Sequence, residues 1–197
     1  MKKFFMIAAL MVVTLSANAQ NEVGVLTLQP KVGMNLANMT GDGDQKTKVG
    51  LLAGVEAEYG ISEKFGLAFG ALYSMEGYKV KRKLWGNVVM LGKQTFKANL
   101  DYINIPILAQ FYPVKGFAIK AGVQPAFNVS HKAGGDADGT IEGVKTFNFS
   151  IPVGLSYEYE GFVLDARYNI GITKLYKDAD QGRNSTFSIS LGYKIPF

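Results

Sequence analysis

Apolar residues alternate with small or polar ones along nearly the whole chain. The last stretch shows the pattern most plainly: Phe187, Ile189, Leu191, Tyr193, Ile195 and Phe197 alternate with Thr186, Ser188, Ser190, Gly192, Lys194 and Pro196. Side chains of a strand point alternately to opposite faces, so such a segment has one apolar side and one polar side. The same rhythm runs through Val32–Leu36, Val49–Tyr59, Phe65–Met75, Ile103–Phe111, Phe117–Phe127, Phe147–Tyr157 and Phe162–Ile172. With the closing segment that makes about eight strands, and helix-period patterns are absent. An even number of antiparallel strands suits a closed barrel.

The connections alternate as regularly as the side chains. Gly60–Lys64, Pro113–Gly116 and Glu160–Gly161 read as tight turns, whereas Thr40–Thr47, Lys81–Gln94, His131–Gly143 and Lys174–Asn184 read as longer polar loops. Short turns on one side and long loops on the other are the layout of an outer-membrane barrel, with the four long loops outside the cell. A soluble, lipocalin-like barrel would carry the same alternation with its apolar face turned inward. Three observations separate the two. The polar face is rich in Gly, Ser, Thr, Ala and Asn, where a solvent-facing surface would carry far more Lys and Glu and a narrow lumen needs small residues. Aromatic residues mark both ends of the apolar face, as in Phe117 and Phe127, Phe147 and Tyr157, Phe187 and Phe197. Ten residues at ~3.3 Å each and a tilt of ~40° span roughly 25 Å, the height of a lipid-facing band. Finally, the chain stops on an aromatic residue, Phe197, which looks like the recognition signal of barrel-assembly machinery. The expected fold is all-β: an eight-stranded antiparallel transmembrane barrel.

Composition adds the compartment. Lys2 and Lys3, the apolar run Phe4–Leu15 and the small-residue site Ala17-Asn18-Ala19 have the layout of a secretory signal peptide. We therefore expect residues 1–19 to be removed and residues 20–197 to form one barrel domain. Removing the two lysines takes the formal charge from +5 to about +3, so nucleic acid is not an expected partner. The chain has no cysteine, so disulfides do not stabilise it. Pro106, Pro125 and Pro152 fall inside strand patterns and each removes a ladder donor, which predicts bulges or strand ends nearby. The segment between Val80 and Phe96 is oddly apolar for a loop, with Leu84, Trp85, Val88, Val89, Met90 and Leu91.

The charges that alternate onto the small face are Glu56, Glu58, Glu76, Lys120, Glu158, Asp165, Arg167 and Lys194. Water is scarce inside a narrow barrel, so these predict a lumen charge network paired across strands. The sharper alternative is a gated narrow pore or proton path. Eight strands leave no wide channel, so bulk porin activity is not expected. Lys79, Lys81, Arg82 and Lys83 cluster where a strand leaves the outer leaflet and are a candidate contact for lipopolysaccharide phosphates. His131, the one histidine, follows Ser130. Neighbours on a strand point apart, and the residues expected on the face of His131, Val129 and Ala133, carry no hydroxyl. A Ser/His site of the kind that lipid A-modifying barrels carry is thus the weakest reading. Asp42-Gly43-Asp44 and Asp136-Ala137-Asp138-Gly139 hint at calcium, but neither completes an oxygen-ligand loop. No catalytic, cofactor or metal residues are assigned, and no enzyme activity is expected.

Pro30-Lys31-Val32-Gly33-Met34-Asn35-Leu36-Ala37-Asn38-Met39, Tyr102-Ile103-Asn104-Ile105-Pro106, the run from Leu164 to Thr173 and the closing Leu191-Gly192-Tyr193-Lys194 make the chain resemble the PorT-like outer-membrane β-barrel family of Bacteroidetes-type bacteria, OmpA/OmpX-like in architecture. The resemblance implies an outer-membrane barrel and a role near type IX (gingipain-type) secretion. Expected partners are outer-membrane lipid and lipopolysaccharide, the barrel-assembly machinery, and secretion or envelope proteins. The expected function is a non-enzymatic barrel with an envelope-structural or surface-interaction role through its outer loops. A narrow channel or secretion accessory is the alternative.

Overall fold

The computed structural model describes residues 23–40, 45–82, 94–135, 139–140, 145–173 and 183–197. The expected signal peptide, the apolar loop segment from Leu84 to Leu91, and Asp42 to Asp44 and Asp136 to Asp138 of the two acidic motifs lie outside these residues. Every described element is a strand: β1 (Leu26–Thr40), β2 (Gln45–Ser62), β3 (Phe65–Arg82), β4 (Gln94–Asn104), β5 (Ile107–Val114), β6 (Phe117–Gly135), β7 (Gly139–Thr140), β8 (Phe147–Tyr159), β9 (Phe162–Gly171), β10 (Arg183–Tyr193) and β11 (Ile195–Pro196).

Eight staves result. β4 and β5 are two halves of one stave, and both pair with β3 and β6. β11 prolongs β10 along β1, and β7 is a two-residue strip on β6. All pairings are antiparallel, and β1 pairs with both β2 and β10, as in Met34 opposite Leu51 and Ile189. That last pairing closes the sheet, so the described strands leave no open edge of unpaired backbone groups. The expected all-β, eight-stranded antiparallel barrel is the observed fold.

The expected strand break appears at Pro106 but not at Pro152. Pro106 sits in the break between β4 and β5, where its carbonyl accepts from Gly70 N at 3.1 Å and the preceding Ile105 N donates to Pro125 O at 2.8 Å. Pro152 stays within β8 opposite Asn169, and the β6–β8 ladder lapses between Ala121–Val153 and Gln124–Ser150 without a change of register. A bulge is unnecessary because one missing donor leaves the other ladder intact. Strands also run further than the apolar alternation. β2 reaches Ser62 and β5 reaches Val114, so their turns are two residues, and β6 extends to Gly135 inside the expected loop. Backbone pairing continues wherever a partner strand does, whether or not lipid enforces the side-chain pattern. The β8–β9 turn has positive φ at both Glu160 (48°) and Gly161 (81°), the conformation that matches the twist of a two-residue hairpin.

The two faces divide as the sequence suggests. Val32, Met34, Leu51, Phe69, Val153, Leu164, Ile189 and Leu191 are exposed on the outer wall, while their neighbours are buried inside. Aromatic pairs mark its two ends. Phe65–Phe111 (5.1 Å between ring centres) and Phe162–Tyr193 (5.0 Å) lie at the turn end, and Phe127–Phe147 (5.6 Å) lies toward the loop end.

Candidate functional site: a plugged lumen

The barrel interior is filled mostly by polar side chains, with Leu52, Leu72, Leu100, Leu108 and Val163 buried among them. Small residues create the room. A Cβ on Gly70 would come within 2.7 Å of Glu56 Cγ, and one on Gly154 within 3.0 Å of Arg167 Cα. Glycine at these two positions lets the large charged side chains of neighbouring strands fold inward.

Five of those side chains meet at mid-lumen. Arg167 on β9 donates from Nη1 to Glu56 Oε1 at 2.8 Å and from Nη2 to Glu56 Oε2 at 3.3 Å. The same Nη2 reaches Asp165 Oδ2 at 3.0 Å. Lys31 on β1 donates to Glu56 Oε2 at 2.7 Å and lies 3.6 Å from Asp165 Oδ2. Lys120 on β6 closes the group at 2.9 Å from Asp165 Oδ2. All five residues are buried, and they come from four strands around the barrel. Asp165 thus faces three cations and Glu56 two, an arrangement in which burial is offset only while every member is present.

A second cluster closes the turn end. Lys194 on β11's approach lies 2.8 Å from Glu158 Oε2 and 3.1 Å from Glu58 Oε2. The hydroxyl of Tyr112 donates to Glu58 and lies 3.1 Å from Gln110 Oε1. Lys194 Nζ stands 5.5 Å from the centre of the Tyr112 ring, within cation–π range.

The third cluster, toward the loop end, is built differently. Glu76 accepts from Ser74 Oγ at 2.7 Å, Asn104 Nδ2 at 3.2 Å, Thr186 Oγ1 at 3.3 Å and Asn184 Nδ2. Asn35 in turn donates to Ser74 Oγ at 2.7 Å, which commits that hydroxyl's own proton to Glu76. Lys48 Nζ donates to the backbone oxygen of Glu76 at 2.6 Å. Four neutral donors fill a carboxylate's four acceptor positions.

A family model for the outer membrane protein beta-barrel domain matches residues 18–177, most of the chain. The chain belongs to that family. It is accordingly a small outer-membrane barrel protein, and its apolar wall faces lipid. Among solved structures it is similar to Ail, the attachment invasion locus protein of Yersinia pestis, at 14% identity and TM-score 0.52 over 88% of this chain and 100% of that one. Ail in complex with the heparin analogue sucrose octasulfate gives 15% identity and TM-score 0.54 with the same coverage. Neisserial surface protein A is similar at 18% identity and TM-score 0.52, over 86% of this chain and 97% of that one. At these identities the likeness is one of fold. No curated protein matches the chain.

In this outer-membrane barrel the eight charges expected in the lumen therefore fall into three places. Glu56, Lys120, Asp165 and Arg167 meet at the centre, Glu58, Glu158 and Lys194 meet at the turn end, and Glu76 stands with neutral partners. Lys31 belongs to the central network but is absent from the expected set; its parity with Gly33 and Asn35 carries the signal, obscured by Pro30. Tyr112 is missed because Tyr112-Pro113 reads as the start of a turn. Lys79, Lys81 and Arg82 lie on the last residues of β3, with Lys79 opposite Lys97, and Lys83 lies outside the described residues. Phe197 is exposed and its backbone N–H donates to Leu26 O at 2.9 Å, which ties the chain's last residue to β1.

One expectation about His131 is corrected. The register passes from Asp101–Ser130 to Tyr102–Asn128, so Val129 is an extra residue in a bulge. The bulge brings Asn128, not Val129, onto the face of His131, and Asn128 Oδ1 lies 2.9 Å from His131 Nδ1. Ser130 remains on the opposite face, opposite Asp101.

Proposed function

We propose that this barrel is a closed, non-enzymatic scaffold that presents its outer connections at the cell surface, in an envelope-structural or surface-interaction role. The observation that carries the reading is the mid-lumen network. Five buried charges from four strands meet across the lumen, and the cavity beside them, about 10 Å³, has room for no more than a water molecule. A barrel blocked at its waist offers its surfaces, and the two-residue turns at one end leave the longer connections at the other as the parts free to vary. The likeness in fold to Ail and to a neisserial surface protein supports the same direction. Basic positions on the last residues of β3, Lys79, Lys81 and Arg82, with Lys83 next in sequence, suit contact with lipopolysaccharide phosphates.

Replacing residues 83–93 and 174–182 with short Gly-Ser turns tests this reading in cells that lack the native gene. The shortened barrel should still show heat-modifiable mobility on gels but fail to restore surface binding or detergent resistance. Full restoration by the shortened barrel would contradict a loop-based role. Lipid A should be unchanged by mass spectrometry in the presence of the purified protein, and His131→Ala should make no difference.

A role as a secretion accessory is the second reading, supported by the PorT-like segments around Pro30–Met39, Tyr102–Pro106 and Leu164–Thr173. Loss of type IX cargo from the medium on deleting the gene, with assembly of other barrels intact, is the outcome that would move this reading ahead of the first.

A further inference from the structure

Three buried polar atoms have no hydrogen-bond partner and belong to residues that line one internal cavity: Arg167 Nε, Asn104 Oδ1 and Asn169 Oδ1. The three residues are 4%, 3% and 8% exposed. An unmade hydrogen bond in such a place is costly, so three around one space point to an occupant. The cavity, about 10 Å³, lies at the lower bound of what one water molecule requires. Its lining also includes Lys31, Asn35, Gln124, Asp165, Ser188 and Ser190, none of which leaves a buried side-chain polar atom without a partner.

The valences select the ligand. One unmade donor and two unmade acceptors call for a group that accepts once and donates twice, which describes water. An anion would face two amide oxygens, and a cation would face the Arg167 guanidinium. We propose that this cavity is a binding site for a single water molecule, which joins the central ion network to the Glu76 cluster. Asn104 is the connecting residue. Its Nδ2 donates to Glu76 Oε1 at 3.2 Å, and its Oδ1 is left for the water. Arg167 supplies the other end, since its Nη atoms are committed to Glu56 and Asp165 and only Nε remains. The plug then becomes one hydrogen-bonded unit from Lys120 on β6 to Thr186 on β10. Without the water, two independent clusters occupy the same barrel.

Two measurements on the full barrel test this. In a high-resolution crystal structure, a single density peak should stand within hydrogen-bond distance of Arg167 Nε, Asn104 Oδ1 and Asn169 Oδ1. A cavity without density, or one closed by a rotated amide that donates to its neighbours directly, would overturn the proposal. In reconstituted protein, Arg167→Lys and Glu76→Gln should be coupled by about threefold or more in the folding equilibrium, the range expected of residues in one network. The two should become additive in an Asn104→Leu background, provided heat-modifiable mobility shows that this variant folds. Additivity already in the unsubstituted background would show that no water joins the clusters.

Discussion

The centre of the lumen and its loop end each bury carboxylates, yet they hold them by different means. Glu56 and Asp165 are surrounded by Arg167, Lys31 and Lys120, whereas Glu76 is surrounded by the hydroxyls and amides of Ser74, Asn104, Asn184 and Thr186. The two solutions fail differently. Removing one member of an ion network strands an opposite charge in a poorly solvated interior, while removing one neutral donor leaves Glu76 with its other three hydrogen bonds. Among the described residues, the lumen cations and anions nevertheless balance. Lys31, Lys48, Lys120, Arg167 and Lys194 match Glu56, Glu58, Glu76, Glu158 and Asp165 in number.

The contrast can be broken most forcefully at Arg167. Arg167→Met leaves Glu56 and Asp165 short of their shared cation and should cost about 3–5 kcal/mol of folding stability in lipid vesicles, measured by urea titration. An effect below that of Glu76→Gln would show that ion pairing is not what stabilises the centre. A charge on the outer wall offers a control of similar size but different cause. Ile189→Arg, facing lipid opposite Ala166 at the level of the central network, should cost ~2–4 kcal/mol, and a neutral outcome would place that wall in water. Glu76→Gln keeps the shape but only half of the acceptor positions, and turns an amide N–H₂ toward two donors; a loss of ~1–3 kcal/mol is expected by the same titration. The smallest effect belongs to the turn-end cluster. Lys194 is partly open to solvent there, so Lys194→Met should cost about 1 kcal/mol, with the loss shrinking further at high salt.

Much of this architecture is written in the sequence residue by residue. Lipid outside and a narrow lumen inside impose opposite demands on successive positions, so Leu164, Asp165, Ala166 and Arg167 declare their faces individually. Strand ends are less legible because the two environments converge beyond the aromatic girdles, and β6 therefore runs on to Gly135 through what reads as loop. Lys31 and Tyr112 are concealed by adjacent prolines, whose turn-like signature competes with the alternation. The pairing of Asn128 with His131 depends on where Val129 bulges, which is decided by the partner strand β4 and leaves no local mark. The distinction between Glu56 and Glu76 is equally nonlocal. Both alternate onto the same face, and only the closure of eight strands determines that cations surround one and amides the other.

Single-channel recording of the purified barrel in planar bilayers bears most directly on the central claim, that the lumen is sealed at its waist. The wild-type protein should be silent, and the Glu56→Ser, Arg167→Ser double variant, which empties the centre of two large side chains, should show discrete current steps. Steps from the wild-type barrel that persist unchanged in the double variant would contradict a plug built on Glu56 and Arg167.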